Sequence, residues 1–305
     1  MKKTQSPWLI VDGRNLLWRA TRANEHLSTK IGGKRVRTGG VYGFLMTLLS
    51  VHQRYGGRVI IAWEGTHNFR FGLFPEYKPR VDDDERRRWV EMLNDQERRL
   101  KRVLASAGVP QYSGVGCEAD DVMATIATKL KGPVLIYSMD SDLRQLVNAS
   151  IKVISSGFKG DTIYDSAQVV KRHGVPPDKI PDLKALSGDH SDGIPGVQGI
   201  GDKTAVKLLG LYKSLGNVIR AARREAAEWP VGKRFVKAVA DEHKILRMYL
   251  KLTTVKRDVE LIEIPTKRNR AALQVKLIKY RFRSLSYENR IEKLLDLYKG
   301  RKLEL

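Results

Sequence analysis

The chain has 305 residues and a mass of 34.6 kDa, enough for one large core or two smaller ones. Its 56 Lys+Arg against 34 Asp+Glu give a net charge of +22 and a pI near 10.0, so a polyanion is the first partner implied. One cysteine, Cys117, excludes a disulfide framework and a Cys-based zinc site and suits a reducing compartment, and no apolar run is long enough for a signal peptide or a membrane span.

Short apolar runs alternate with helical patterns along the first half of the chain. Trp8–Val11 reads as a buried strand, closed by Asp12-Gly13. Val41, Phe44, Leu45, Leu48, Leu49 and His52 recur at helical spacing. Arg58–Trp63 is a second strand, Val134–Tyr137 a third and Ile151–Ile154 a fourth; Val122, Ile126 and Leu130 form a helical stripe between them. This alternation predicts an α/β fold, a mostly parallel, doubly wound central sheet whose ligands bind beyond the carboxyl ends of the strands. Trp8, Trp18 and Trp63 are expected in the core, Cys117 as a small buried residue and His190 in an exposed loop.

Residues 66–100 break the pattern. They hold Pro75, Pro79, Arg86-Arg87-Arg88 and Arg98-Arg99 without a clean apolar face. The segment reads as a helical arch or lid, or as an ordinary surface hairpin. The composition shifts after Val175-Pro176-Pro177. We expect a core over 1–182 and a helical, basic module over 183–305. Residues 203–305 hold 26 Lys+Arg and 11 Asp+Glu, a concentration of charge that suits phosphate contacts with strong salt dependence.

Nine carboxylates fall at predicted strand ends or helix starts: Asp12, Glu64, Glu118, Asp120, Asp121, Asp140, Asp142, Asp189 and Asp192. Acidic residues in a first helical turn are also good capping chemistry, so 118–121 alone leaves both readings open. If the nine converge, they repel; two unit charges ~4 Å apart cost about 4 kcal/mol at an effective dielectric of 20. All-oxygen donors favour Mg²⁺ or Mn²⁺. A pair of such ions ~3.5–4 Å apart is a recurring solution for phosphodiester hydrolysis.

The segment from Gly196-Val197-Gln198-Gly199-Ile200-Gly201 to Asp202-Lys203-Thr204-Ala205 runs into an apolar helix. Glycines allow close backbone approach, and a helix N-terminus with a lysine beside it favours phosphate. This is a helix–hairpin–helix pattern for holding a nucleic-acid backbone without reading bases. It lacks the GxxxxGK[ST] of a nucleotide-binding loop and does not follow a strand.

Together, Val11-Asp12-Gly13, Val41-Tyr42-Gly43-Phe44, Tyr77-Lys78, Glu118-Ala119-Asp120-Asp121, Asp140-Ser141-Asp142-Leu143, Ala185–Asp189, Ser191-Asp192 and the hairpin 196–205 resemble the 5′-nuclease (flap endonuclease) family. No polymerase-like segment follows, so the likeness is to the stand-alone bacteriophage-type enzymes. The resemblance implies a Mg²⁺-dependent nuclease cutting DNA at 5′ flaps and 5′ ends, leaving 5′-phosphate and 3′-hydroxyl, with a role in primer or flap removal during replication. It implies one metal cluster from Asp12, Glu64, Glu118, Asp120 and Asp121. A second would come from Asp140, Asp142, Asp189 and Asp192, with Asp140 and Asp142 catalytic.

Lys78 matches the lysine on the scissile phosphate, and Tyr77 the aromatic that stacks on a terminal base. Arg80, Arg86, Arg87 and Arg88 would line the arch. Gly196, Gly199, Gly201, Lys203 and Thr204 would hold the duplex, with K⁺ at the hairpin. Two departures stand out: Glu64 where relatives carry Asp, and Arg80 one residue earlier than the usual arginine. Arg14 lies close enough in sequence to contact phosphate. A monomer in the cytoplasm of a bacterial or phage-infected cell is expected, with no membrane partner. An aspartyl phosphatase would leave 118–121 and the hairpin idle, a ribonuclease on a similar acidic sheet would not need the hairpin, and a non-catalytic DNA-binding module would need broken ligands.

Overall fold

The computed structural model describes residues 6–79, 83–157, 160–224, 229, 231–232, 234–300, 303 and 305. Elements follow in chain order. The first half holds β1 (Trp8–Asp12), α1 (Gly13–Ala23), β2 (Ser28–Ile31), β3 (Lys34–Arg37), α2 (Gly39–Tyr55) and β4 (Arg58–Ala62). Next come α3 (Phe69–Leu73), α4 (Asp84–Ala107), β5 (Gln111–Gly114), α5 (Ala119–Lys129) and β6 (Val134–Tyr137). Then follow β7 (Ile151–Gly157), β8 (Gly160–Tyr164), α6 (Ser166–His173), α7 (Ile180–Ser187), α8 (Asp202–Tyr212) and α9 (Leu215–Arg223). The chain closes with α10 (Arg234–Asp241), α11 (His243–Thr253), β9 (Leu261–Ile264), α12 (Arg270–Lys279) and α13 (Glu288–Leu295).

The chain forms two units. The first comprises Met1–His67, Val81–Met139 and Arg257–Leu305; the second comprises Asn68–Arg80 and Asp140–Lys256.

In the first unit, β1 lies between β4 and β6, parallel to both, with Asp12 opposite Ala62. β5 continues parallel beside β4, and β9 closes that side antiparallel to β5. Every residue of β1 is buried, as expected for an apolar run covered on both faces of a parallel sheet. Parallel pairing places the carboxyl ends of β1, β4 and β5 at one edge. Gly13 follows β1 directly because a Cβ there would lie 2.6 Å from the Trp63 ring. That ring stacks on Phe44 with centroids 6.3 Å apart. Glycines also bring α1 and α2 together: a Cβ on Gly43 would lie 3.2 Å from the Ala20 Cβ, and one on Gly39 would overlap the Asn24 carbonyl.

Two sequence expectations change here. Trp8 and Trp63 are core residues, but Trp18 is 46% exposed. The buried face of α1 is Leu16, Leu17, Ala20 and Thr21, and Trp18 points away from it, with Arg22 one turn on stacked over its ring at 5.5 Å. In the second unit, the strand starting at Ile151 runs antiparallel to β8, from Val153 opposite Tyr164 to Gly157 opposite Gly160. The sequence reading missed β8 because its exposed, polar register carries little apolar signal.

Helices α6–α11 all lie in the second unit. Arg70 on α3 is nearly fully buried, and its guanidinium donates to the carbonyls of Leu252 (2.8 Å) and Thr254 (3.2 Å) at the end of α11. These charge-assisted bonds anchor the start of the Tyr77-Lys78 segment. No described helix is long and apolar enough to cross a membrane.

Candidate metal centre and nucleic-acid interface

In the second unit, helix α7 stops at Gly188, whose φ of +88° glycine adopts without strain. A Cβ there would lie 2.7 Å from the Pro195 carbonyl. Asp189 and Ile194 then exchange backbone hydrogen bonds (2.7 and 2.9 Å), closing a tight loop around a 3-10 turn at His190–Asp192. This closure puts Asp189 and Asp192 on one side. Asp142 opens another 3-10 turn, with its N–H bonded to Asp140 Oδ1 at 2.9 Å. One carboxylate oxygen from each of Asp142, Asp189 and Asp192 lies within 4.8 Å of the others. At that spacing each pair repels by about 3–4 kcal/mol at an effective dielectric of 20, so the group needs cations.

Lys184 supplies one. Its ammonium donates to Asp142 Oδ1, to Asp189 Oδ2 at 2.5 Å and to Ser141 Oγ at 3.4 Å. Burial alone would push Asp189 up; the Lys184 charge and hydrogen bonds from Lys184 and Ser191 outweigh it and hold the carboxyl below its usual range. Sequence reasoning missed Lys184. Its signal was available: a lysine in the last turn of the helix leading into Gly188-Asp189.

Segment 76–79 is fitted onto the same cluster. The Tyr77 hydroxyl donates to Asp192 Oδ2 at 2.9 Å, and Lys78 N–H donates to the Asp192 carbonyl at 2.9 Å. Lys78 Nζ lies 3.8 Å from Asp192 Oδ1. Lys78 holds a left-handed backbone (φ +50°), uncommon for a lysine. Gly193 makes the close approach possible, since a Cβ there would lie 2.7 Å from Pro79 Cδ and 2.8 Å from the Glu76 carbonyl. Tyr77 is only 2% exposed, so its ring presents no open face for stacking here and its hydroxyl orients a carboxylate.

In the first unit, Asp12, Glu64, Glu118, Asp120 and Asp121 follow the sheet's carboxyl edge but do not form such a group among the described residues. Asp12 caps α1 through Asn15 N–H (3.0 Å) and accepts from Ser138 Oγ (2.8 Å). Asp121 accepts from Glu118 N–H at 3.0 Å, so the capping reading of 118–121 holds in the structure. Glu64 is exposed. Its loop is zipped to that of Glu118 by Gly116 N–H to the Thr66 carbonyl at 2.7 Å.

Arg86, Arg87 and Arg88 stand exposed on the first turns of α4, with Arg87 paired to Asp84 at 2.6 Å. Arg80 lies outside the described residues. Arg14 is committed to α4, donating to Asn94 Oδ1 (2.8 Å) and Glu97 Oε2 (2.5 Å). Cys117 is buried and His190 exposed, as expected.

Between α7 and α8, Gly196 and Gly199 adopt φ of +68° and +80°. A Cβ on Gly196 would overlap the Gly188 amide, whereas one on Gly201 would meet open space. Gly201 therefore caps α8 without a side chain, with Thr204 and Ala205 N–H bonded to its carbonyl at 3.0 Å and Lys203 exposed beside it.

This α/β fold with its all-carboxylate cluster is that of a hydrolytic nuclease. The family description "5'-3' exonuclease, N-terminal resolvase-like domain" matches residues 7–174, and "5'-3' exonuclease, C-terminal SAM fold" matches 175–275. The 5′-3′ exonuclease of Aquifex aeolicus is 34% identical over 259 residues, covering 83% of this chain and 84% of that protein. DNA polymerase I of Pseudomonas aeruginosa is 35% identical over 96% of this chain, which spans 32% of the polymerase. The flap endonuclease of bacteriophage T5, solved with DNA and metal ions, shares the fold with a TM-score of 0.64 at 20% identity, over 95% of this chain and 97% of that one. The chain belongs to the 5′-3′ exonuclease family.

Proposed function

We propose that the protein is a structure-selective 5′ nuclease that hydrolyses DNA phosphodiesters at 5′ flaps and 5′ ends with two Mg²⁺ or Mn²⁺ ions, leaving 5′-phosphate and 3′-hydroxyl. The observation that carries this is the convergence of Asp142, Asp189 and Asp192 on one point with Lys184 and Lys78 at its rim. The donor set fits a hard divalent ion: every ligand is a carboxylate oxygen, without imidazole or thiolate. When bound, divalent ions would supply Lewis acidity toward a phosphodiester oxygen and ease deprotonation of a water.

The chain's own residues do the rest. Asp142, Asp189 and Asp192 hold one ion, with Asp140 fixing the Asp142 backbone, and Asp12, Glu64, Glu118, Asp120 and Asp121 are proposed to serve the other. Tyr77 fixes the Asp192 carboxylate. Lys78 presents an ammonium to the scissile phosphate. Arg86, Arg87 and Arg88 track the phosphates of the 5′ single strand, and Arg80 is assigned the same role. Gly196, Gly199, Gly201, Lys203 and Thr204 hold the duplex as a helix–hairpin–helix, offering α8 amides, the helix dipole and a K⁺ site to the backbone without reading sequence. On this reading 1–182 is the nuclease core and 183–305 the DNA-holding part. The enzyme acts as a cytoplasmic monomer on replication intermediates. The T5 relative's DNA- and metal-bound state supports the assignment.

The test is a 5′-labelled flap duplex incubated with Mg²⁺ and then with chelator. Cleavage near the junction that stops on chelation is expected. Binding without cleavage under every divalent ion would leave a DNA-binding module instead.

A further inference from the structure

Helix α12 of the first unit carries an apolar face that neither the core nor the metal centre uses. Its Leu273 and Leu277 are fully buried. The helix is held on the end of α4 by Asn269 N–H to the Ser106 carbonyl (2.8 Å), Lys267 N–H to the Ala105 carbonyl (3.1 Å) and Lys276 Nζ to Ser106 Oγ (2.8 Å). Ala271, Val275 and Ile278, at i, i+4 and i+7, fall on the opposite side. All three are exposed, Val275 at 63% and Ile278 at 58%. A helix apolar on both faces is ordinarily covered on both. Single surface hydrophobes need no explanation, but an apolar stripe rimmed by charge marks a contact surface.

The rim has one sign. Residues 265–287 hold seven Lys+Arg and no Asp or Glu. Lys267 and Arg268 lead into the helix, and Lys279 stands one turn beyond Val275; all three are exposed and form no ion pair among the described residues. The carboxylates of α13, Glu288 and Glu292, are taken up by Arg270. About 27 Å of helix separates Ser106, where α12 is anchored, from Arg88. The stripe is thus remote from the α4 arginines assigned to the 5′ strand.

These features select an occupant. A second copy in a two-fold pair would set the stripe against itself and bring like cations together, in a chain that already carries +22. A nucleic acid matches the charge but leaves the stripe facing phosphate. A membrane surface takes a helix with one free apolar face, and α12 has ten residues with both leucines committed to the protein. We propose that this face of α12 docks an acidic segment of another protein. Apolar side chains of that segment cover Ala271, Val275 and Ile278, and its carboxylates meet Lys267, Arg268 and Lys279. Such docking is independent of whether the chain cuts DNA.

The test measures, by anisotropy, binding of a short fluorescent peptide of alternating aspartate, leucine and phenylalanine to the full chain across a salt series. The wild type is expected to bind with a Kd of about 10 µM. V275S/I278S is expected to bind at least about tenfold more weakly at every salt concentration. R268E/K279E is expected to lose as much at low salt, with the loss shrinking as salt rises. V275S/I278S changes only exposed positions and is expected to melt, and to cut a flap duplex in Mg²⁺, like the wild type. A wild type that leaves the peptide free at about 1 mM, or a V275S/I278S that binds it equally well, overturns the proposal. Three other results do the same. Displacement of the peptide by phosphatidylglycerol vesicles, with vesicle binding lost in V275S/I278S, would make the face a membrane contact. Weaker flap-duplex binding in V275S/I278S would make it part of a nucleic-acid surface. A dimer seen by sedimentation in the wild type and lost in V275S/I278S would make it a self-interface.

Discussion

The two sets of carboxylates are made tolerable in different ways. In the second unit, Asp142 and Asp189 share the ammonium of Lys184, and Asp192 takes the Tyr77 hydroxyl and faces Lys78. In the first, Asp12 accepts from Asn15 N–H and Ser138 Oγ, and Asp121 from Glu118 N–H. Helix-start amides and a hydroxyl reach the carboxylates of the first unit, whereas three carboxylates that converge require a full charge. The comparison separates two uses of the same residue type, since a capping carboxylate stabilises the chain in any medium, whereas a convergent one makes folding depend on a cation.

The largest effect expected from this difference is on turnover. Asp142→Asn should lower flap cleavage by at least about a hundredfold and weaken Mn²⁺ binding by calorimetry. A variant that cuts and binds like wild type would remove Asp142 from the metal centre.

Lys184→Met should then lower metal-free stability by about 3 kcal/mol, as expected when a partly buried charge loses its partner, with Mg²⁺ restoring much of the loss. Thermal melts with and without Mg²⁺ read this. A chain equally stable in EDTA and Mg²⁺ would show that Lys184 is not the cluster's counter-ion. For contrast, Asp121→Ala should cost about 1 kcal/mol in EDTA, the scale of a lost cap.

The smallest effect is a pH dependence away from the site. Burial, with Arg144 and Arg172 adding to it, holds His173 below its ordinary pKa, and its Nε2 lies 2.9 Å from Arg144 Nη1. A depressed folded-state pKa contributes stability that is present above about 6.5, the unfolded value, and is lost as pH falls toward the folded one. His173→Gln should flatten the fall of stability as pH drops below about 6.5 in denaturant titrations. An unchanged slope would place the acid sensitivity elsewhere.

Much of this was legible in the sequence, for reasons the structure makes plain. Trp8–Val11, Arg58–Ala62 and Val134–Tyr137 read as strands because both faces of a parallel sheet are covered, and the Gly188-Asp189 turn announced itself because its backbone demands glycine. β5 and β9 were not legible: Gln111–Gly114 and Leu261–Ile264 are four residues each, with polar side chains that break the apolar run. The Tyr77 hydroxyl escaped because it acts across 115 residues of chain, and no local spacing encodes such a pair, whereas Lys184 stands five residues before Asp189 and was passed over although its place in the last turn of α7 was visible.

The most direct measurement is anomalous scattering from crystals soaked in Mn²⁺. The account predicts a manganese peak bounded by Asp142, Asp189 and Asp192, with the Lys184 ammonium drawn away from Asp142. Crystals that scatter well, with no peak among these three side chains and Lys184 still seated between Asp142 and Asp189, would contradict it.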